Sequence, residues 1–355
     1  MLEGHFASQS GLLRRRVTLR EIAEKAGVSI ATVDRVLSGR AIVRESTAAR
    51  VQAAAQALGY QFAEPMNVRL GASRRQIRCG FLLQRASSAF NQHIAQQLSE
   101  LQQQDPWLGV ELILEFLDEY LEPSKVAAEM RSMAGRVDAV AVVATESPYI
   151  SEAVDFLMER RTPVVALLSD LSSPNLAGYV GTNNRMAGRS AAWAIAHCAE
   201  QPGIVGVLIG SHGYLGQEDR EIGFRSYFRA KALDFKVLEP IVCFDEPENA
   251  YKQTIELLKI SDGLVGLYSV GGGNKGIIRA IEESRVSHKL AYVCHELTPT
   301  TRVGLSAGVI DVVLAHDVPE LARATLKMLV DIKNAMPDKK QSSIIPFSIY
   351  TSENI

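Results

Sequence analysis

Cysteine is scarce in this chain: four residues, at 79, 198, 243 and 294, none in a C-x-x-C pair. That spacing suggests neither a disulfide framework nor a structural zinc site, and it fits a reducing cytoplasm. Apolar runs of membrane-spanning length are also missing. The opening MLEGHFASQSGLLRRR holds no apolar stretch of signal-peptide length, and no later segment approaches 18 uninterrupted apolar residues, so neither export nor membrane insertion is expected. Catalytic signatures are lacking as well. GGGNKG does not have the G-x-x-x-x-G-K-[ST] spacing of a phosphate loop, His295-Glu296 is not part of H-E-x-x-H, and no serine sits in G-x-S-x-G. The expectation is a non-enzyme with no metal and no cofactor.

Net charge is nearly absent too, at -2, but its distribution is uneven. Residues 1–78 hold 13 Lys and Arg against 6 Asp and Glu, a net of +7, and residues 79–355 hold 25 against 34, a net of -9. A basic front on an acidic remainder suggests a nucleic-acid-binding head joined to a body with a different partner. The 355 residues, 47% of them apolar, are enough for two or three folding units with real cores.

Within the head, Thr18 and Glu21 form a T-x-x-E capping box, and Val17 and Ile22 can close a hydrophobic staple, so a helix should begin near Leu19. Gly27 suits its left-handed stop. Ser29 can cap a second helix, with Val28 and Val33 as its staple, and an Ala-rich third helix is expected over roughly 45–58. Two helices joined by a short glycine turn read as a helix-turn-helix. The competing reading is an ordinary three-helix bundle with a solvated basic surface.

These residues, TLREIAEKAGVSIATVDRVLSGR followed by VRESTAARVQAAAQALGY, resemble the DNA-binding head of the lactose-repressor (LacI) family. The resemblance implies that the second helix enters the major groove of operator DNA. Ile30 and Ala31 then stand at base-reading positions and Arg35 at the usual arginine, while Ser29 and Thr32 hold phosphates and Thr18 is a further DNA-binding candidate. Two features depart from the family pattern. Asp34 replaces a common serine, and a carboxylate there either accepts from cytosine N4, or anchors one of Arg14, Arg15 and Arg16, or is a solvated acid at the rim. After Tyr60 the text runs YQFAEPMNVRLGASRR, with Leu70 one place late for a minor-groove wedge. Either Leu70 wedges from a shifted hinge helix, or the segment is a linker whose Arg69, Arg74, Arg75 and Arg78 neutralise phosphates.

From Ile77 onward short apolar runs alternate with amphipathic stretches. Strands are expected at 77–84, 109–116, 137–144, 162–168, 203–210, 235–242, 263–269, 289–295 and 309–315, in parallel β/α units that form two sheets. GYVGTNNRMAGRSAA, GYLGQEDREIGF and HELTPTTRVGLSAGVIDVVLAHDVPELA resemble the type I periplasmic-binding-protein fold of LacI-family effector domains. That resemblance implies two lobes, with crossovers near residues 183, 296 and 317 and a ligand cleft at the strand ends, where open α/β sheets collect ligands. Candidate effector contacts from those loops are Phe90, Asn91, Glu146, Asp170, Arg220, Asn274, Glu296 and His316. A sugar needs an aromatic face and paired charged groups for adjacent hydroxyls, and these residues supply both. Four of them also have an ordinary reading: Phe90 as core, Asp170 as a cap, Glu146 as a solvated acid, Asn274 as a turn residue.

The expected organisation is a basic tail over 1–16, the helix-turn-helix domain over 17–62, a linker or hinge over 63–77 and a two-lobed effector-binding and dimerisation domain over 78–355. The expected function is transcriptional regulation, chiefly repression, by a homodimer that binds operator DNA and a small sugar or sugar-like effector. The rivals are a sugar-binding protein without DNA function and a regulator without an effector.

Overall fold

The computed structural model describes residues 17–38, 45–58, 60, 76–104, 109–117, 122–231, 234–260, 263–284 and 289–355. Leu70, with Arg14, Arg15, Arg16, Arg69, Arg74 and Arg75, lies outside them. The chain divides near residue 76 into two compact units.

The first unit is helical: α1 (Leu19–Ala26), α2 (Ile30–Ser38) and α3 (Glu45–Ala57). The capping box at Thr18 is complete. The Glu21 amide donates to the Thr18 hydroxyl, and the Glu21 carboxylate accepts from the Thr18 amide at 2.8 Å. Gly27 ends α1 in the left-handed region at φ 64°, where a side chain would be strained. Ser29 caps α2 by accepting from the Thr32 amide at 3.1 Å. Ile22, Ala23, Ala26, Val33, Val36, Val51, Ala54 and Ala55 form the core, with Val17 and Val28 packed at its margin, so both staples close.

In the second unit the first lobe contains β1 (Ile77–Leu83), α4 (Ala89–Gln104), β2 (Val110–Phe116), α5 (Pro123–Ser132), β3 (Ala139–Val142), α6 (Pro148–Glu159), β4 (Val164–Leu167) and β5 (Gly178–Gly181). The second lobe follows with α7 (Asn184–Cys198), β6 (Ile204–Ile209), α8 (Leu215–Lys231), β7 (Lys236–Val237), β8 (Ile241–Val242), α9 (Pro247–Ile260), β9 (Leu264–Ser269), α10 (Asn274–Ser284), β10 (Ala291–His295), α11 (Pro299–Ser306) and β11 (Val312–His316). The chain then runs through α12 (Val318–Ala335), β12 (Gln341–Ile344) and β13 (Phe347–Tyr350). One sheet has the order β12-β5-β4-β3-β1-β2 and is parallel throughout. The other runs β13-β11-β10-β9-β6-β7, with β8 also on β6. Strands such as AVAV of β3 and VVAL of β4 are buried along their whole length, as both faces of a helix-covered parallel sheet require.

Three details differ from the sequence-based expectations. The stretch 235–242 is two short strands, because Pro240 has no amide to donate to the β6 ladder. The last strand, β13, runs antiparallel to β11, so the second sheet is mixed at that edge. Finally, residue 296 is not a crossover, because β10, on one side of it, and β11, on the other, are neighbours in one sheet. The chain passes between lobes after β5, at Asp317 after β11, and between β12 and β13, since these last two strands belong to different sheets.

No helix among the described residues is long and apolar enough to cross a membrane. Arg78, read above as a possible phosphate contact, is held within β1. Its Nε and NH2 donate to Asp138 at 3.2 and 3.3 Å, and its NH1 donates to the Gly135 carbonyl.

Candidate functional site

In the head, α2 buries Val33 and Val36 against α1 and α3. Ser29, Ile30, Ala31, Asp34 and Arg35 are exposed, Ile30 by 48%, and Thr32 is half-buried. An apolar residue of that exposure at a helix start is available to a partner such as a thymine methyl. The hydroxyls of Ser29 and Thr32 lie 2.8 Å apart at the N-terminus of α2, where helix amides favour an anion. The hydroxyl of Thr18 serves the α1 cap, accepting from the Glu21 amide. Asp34 makes a further interaction within the structure.

In the body, the strand ends build a second constellation. Glu296 follows β10 with its backbone in the left-handed region at φ 69°, a conformation that costs a non-glycine residue energy and concentrates at ligand sites. Its Oε1 accepts from His316 Nδ1 at 2.7 Å and lies 4.0 Å from Arg220 NH2, and its Oε2 accepts from the His316 amide at 3.3 Å. Burial alone would raise the Glu296 pKa, but the adjacent His316 and Arg220 outweigh it and hold the carboxyl below its ordinary value. Arg220 is buried. Its Nε donates to Asn184 Oδ1 at 2.7 Å and its NH1 to the Val270 carbonyl at 2.9 Å. Phe90, from the first lobe, places its ring centroid 5.8 Å from that of His316. Phe90, Arg220, Glu296 and His316 therefore come together.

The other candidates are engaged elsewhere. Asn274 sits inside the second lobe, donating to the His295 carbonyl at 3.2 Å and accepting from the Tyr292 hydroxyl at 2.9 Å. Asp170 is paired with Lys340 at 2.6 Å, and Glu146 accepts from the amide and hydroxyl of Ser172. Asn91 is buried and donates to the Gln84 carbonyl at 2.7 Å.

Several residues of this region carried no signal in the sequence. Asn184 orients Arg220. Arg85, two residues past β1, reaches from the first lobe and donates to the carbonyls of Phe244 and Asp245 in the second. Phe244 and Asp245 are both in the left-handed region, at φ 57° and 55°, and Phe244 is 41% exposed. Asp245 in turn accepts from Gln217 at 3.0 Å and from the Gly272 amide. Arg85, Leu168, Phe244, Asp245 and Glu296 all combine positive φ with a place within three residues of a strand end. Glycine or asparagine at these places would have marked them; the actual side chains hide them. Two further bonds join the lobes, from the Glu146 amide to the Gly213 carbonyl at 2.6 Å and from the Gly216 amide to the Ser169 hydroxyl at 3.1 Å. No group of three or more metal-ligating side chains occurs among the described residues.

The family model described as bacterial regulatory proteins, lacI family, matches residues 18–61, and that described as periplasmic binding protein domain matches residues 79–336. No curated protein matches the chain. Among solved structures it is similar to an ABC transporter solute-binding protein from Agrobacterium vitis bound with alpha-D-tagatopyranose. The two share 15% identity over 78% of this chain and 95% of that one, with a TM-score of 0.71. A solute-binding protein from Burkholderia graminis in complex with D-arabinose aligns at 18% identity over 80% and 98%, TM-score 0.72. GanP, a glucose-galactose binding protein from Geobacillus stearothermophilus, aligns at 16% over 79% and 99%, TM-score 0.72. At these identities the likeness establishes the two-lobed fold.

Proposed function

This chain belongs to the periplasmic binding protein domain family, with a lacI-family regulatory domain ahead of it, and we propose that the two halves act together as a sugar-responsive transcriptional regulator. The head binds operator DNA, with Ile30, Ala31 and Arg35 toward the bases and Ser29 and Thr32 toward the phosphates. Asp34 selects a cytosine or holds an arginine of the N-terminal tail. A homodimer in the cytoplasm reads two half-sites about one helical turn apart and represses transcription.

The observation that carries the effector half of this reading is the buried cluster of Arg220, Glu296 and His316 beside Phe90. A guanidinium, a carboxylate, an imidazole and an aromatic ring can donate to, accept from and cover a polyol without bond making or breaking. The bound sugars named for two of the similar structures support the same ligand class. A sugar that prefers one lobe arrangement shifts the population toward it, and that shift couples to the head by the same free energy.

Fluorescence anisotropy on the gene's own upstream DNA, at two salt concentrations and with D-tagatose, D-arabinose, D-allose and D-fucose, tests this reading. Selective, salt-dependent binding whose affinity one sugar changes by roughly 5- to 150-fold is expected. Asp34→Ser should shift operator preference. Absence of selective binding would remove the regulator, and selective binding indifferent to every sugar would remove the sugar effector.

A further inference from the structure

Tyr179 lies in β5, just before the chain first leaves the first lobe, and its side chain reaches forward over Gly181. A Cβ built on that glycine would stand 2.2 Å from the Tyr179 hydroxyl oxygen, so the missing side chain makes room for the tyrosine. The hydroxyl stands between two carbonyls, that of Leu168 at 3.2 Å and that of Thr182 at 3.3 Å. Leu168 belongs to the first lobe, one residue past β4, whereas Thr182 is in the crossover itself. A hydroxyl has one proton, so it serves only one of these carbonyls fully at a time. Burial pushes the Tyr179 pKa up, which keeps that proton in place.

Asn184, the first residue of α7, decides which carbonyl is served. An arginine only donates, so the Asn184 atom 2.7 Å from Arg220 Nε is its oxygen, and its amide nitrogen turns to the other side. The two protons of that nitrogen reach the Tyr179 hydroxyl at 3.4 Å and the Leu168 carbonyl at 3.5 Å. With Leu168 served by Asn184, the Tyr179 proton goes to Thr182, and each of the three acceptors has a donor. The Thr182 hydroxyl, by contrast, is buried with no hydrogen-bond partner among the described residues. Leu168 is held in the left-handed region at φ 67°, a costly conformation for leucine. A junction with long bonds, an unmet hydroxyl and strained backbone has something to gain from a second arrangement.

We propose, resting on the sugar-effector reading above, that Tyr179 is a positioning residue that carries the effector signal to the first crossover. While Arg220 holds Asn184, the Tyr179 hydroxyl holds the Thr182 carbonyl. A ligand that draws Arg220 away lets Asn184 turn, Tyr179 passes to the Leu168 carbonyl, and the crossover backbone is released. Tyr179 acts through Asn184 and Arg220, not on the ligand.

The test uses the full chain. Thr182-Asn183 is the one Thr-Asn pair in the sequence, so threonine labelled at its carbonyl with carbon-13, together with nitrogen-15 asparagine, yields a single NMR signal from the Thr182 carbonyl. The tightest binder among D-tagatose, D-arabinose, D-allose and D-fucose, identified by calorimetry, should move that signal upfield, the direction of a lost hydrogen bond. In sugar-free Tyr179→Phe the signal should already stand there, and sugar should not move it further. The factor by which sugar alters operator affinity should drop in this variant from roughly 5- to 150-fold to below about threefold, while sugar affinity stays within about tenfold of the parent. A Thr182 signal that ignores bound sugar overturns the inference, and this measurement on the parent protein stands even where the variant does not fold. So does a Tyr179→Phe protein whose sugar and DNA affinities fall together with their coupling factor unchanged, the mark of a merely structural residue. In both cases the heat of sugar binding to the parent keeps the effector reading standing; no heat with any of the four sugars removes that reading and this inference with it.

Discussion

His295 lies one residue before Glu296 and points the other way, into the second lobe, where its Nε2 meets the Tyr268 hydroxyl at 2.8 Å. Burial, reinforced by the charges of Arg220 and His316, pulls its pKa well below the ordinary value of 6.5. A base depressed in this way binds fewer protons when folded than when unfolded. Its contribution to stability is therefore complete above the unfolded value of about 6.5 and is lost as pH falls toward the folded one. Glu296, also depressed, adds a second contribution, present above the ordinary carboxylate range of about 4.3 and lost as pH falls below it. Thermal denaturation followed from pH 7.5 to 5 should show a falling midpoint, and His295→Gln should flatten the upper part of that fall; a pH-independent midpoint in the parent protein would contradict the assignment. At this scale the sequence was informative where a residue type stood inside a recognisable pattern. Arg220, Glu296 and His316 did so, whereas Asn184, Arg85 and Phe244 did not, because their importance lies in partners 36 to 160 positions away.

Elements act on the site through close packing. Helix α7 crosses α8 so tightly that a Cβ built on Gly188 would lie 1.8 Å from the Arg220 carbonyl oxygen, and one on Gly223 would lie 2.2 Å from that of Arg185. No side chain fits there, which is a physical reason for glycine at both crossings. Gly188→Ala should force the helices apart and displace the backbone that carries Arg220. A destabilisation of about 1–3 kcal/mol is expected, together with weakened sugar binding. Chemical denaturation and calorimetry on the same variant would measure both, and full sugar affinity at wild-type stability would refute the coupling. The head helices were readable in the sequence because caps and apolar spacing are local. The strands β5, β12 and β13 were not: GYVG of β5 is bounded by glycines, and β12 and β13 are partly exposed edge strands without a continuous apolar run.

The whole body is two lobes joined by three crossovers and bridged near the site by Arg85. Its guanidinium donates across to the carbonyls of Phe244 and Asp245 and stands 3.9 Å from Glu246. These bonds favour the lobe arrangement in which they form, so their loss should populate more open forms and reduce apparent ligand affinity by the fraction of binding-competent molecules lost. Arg85→Ala should raise the radius of gyration of the sugar-free protein in X-ray scattering and weaken sugar binding roughly tenfold, the worth of hydrogen bonds to a charged group. An unchanged radius and affinity would show that the clasp does not govern closure.

By itself, the sequence determined the three-helix head with its caps and staples, the alternation of strands and helices, and the charge contrast between front and body. All of these arise from neighbours within a few positions, where spacing and side-chain chemistry act directly on the backbone. Only the tertiary structure decided that the third crossover lies between β12 and β13, that Lys340 occupies Asp170, and that Arg85 clasps the other lobe. It also decided that His316 turns Nδ1 to Glu296, while its buried Nε2 meets no hydrogen-bond partner among the described residues. Each of these joins residues far apart in the chain, and such contacts depend on how whole sheets and lobes come together rather than on any local pattern.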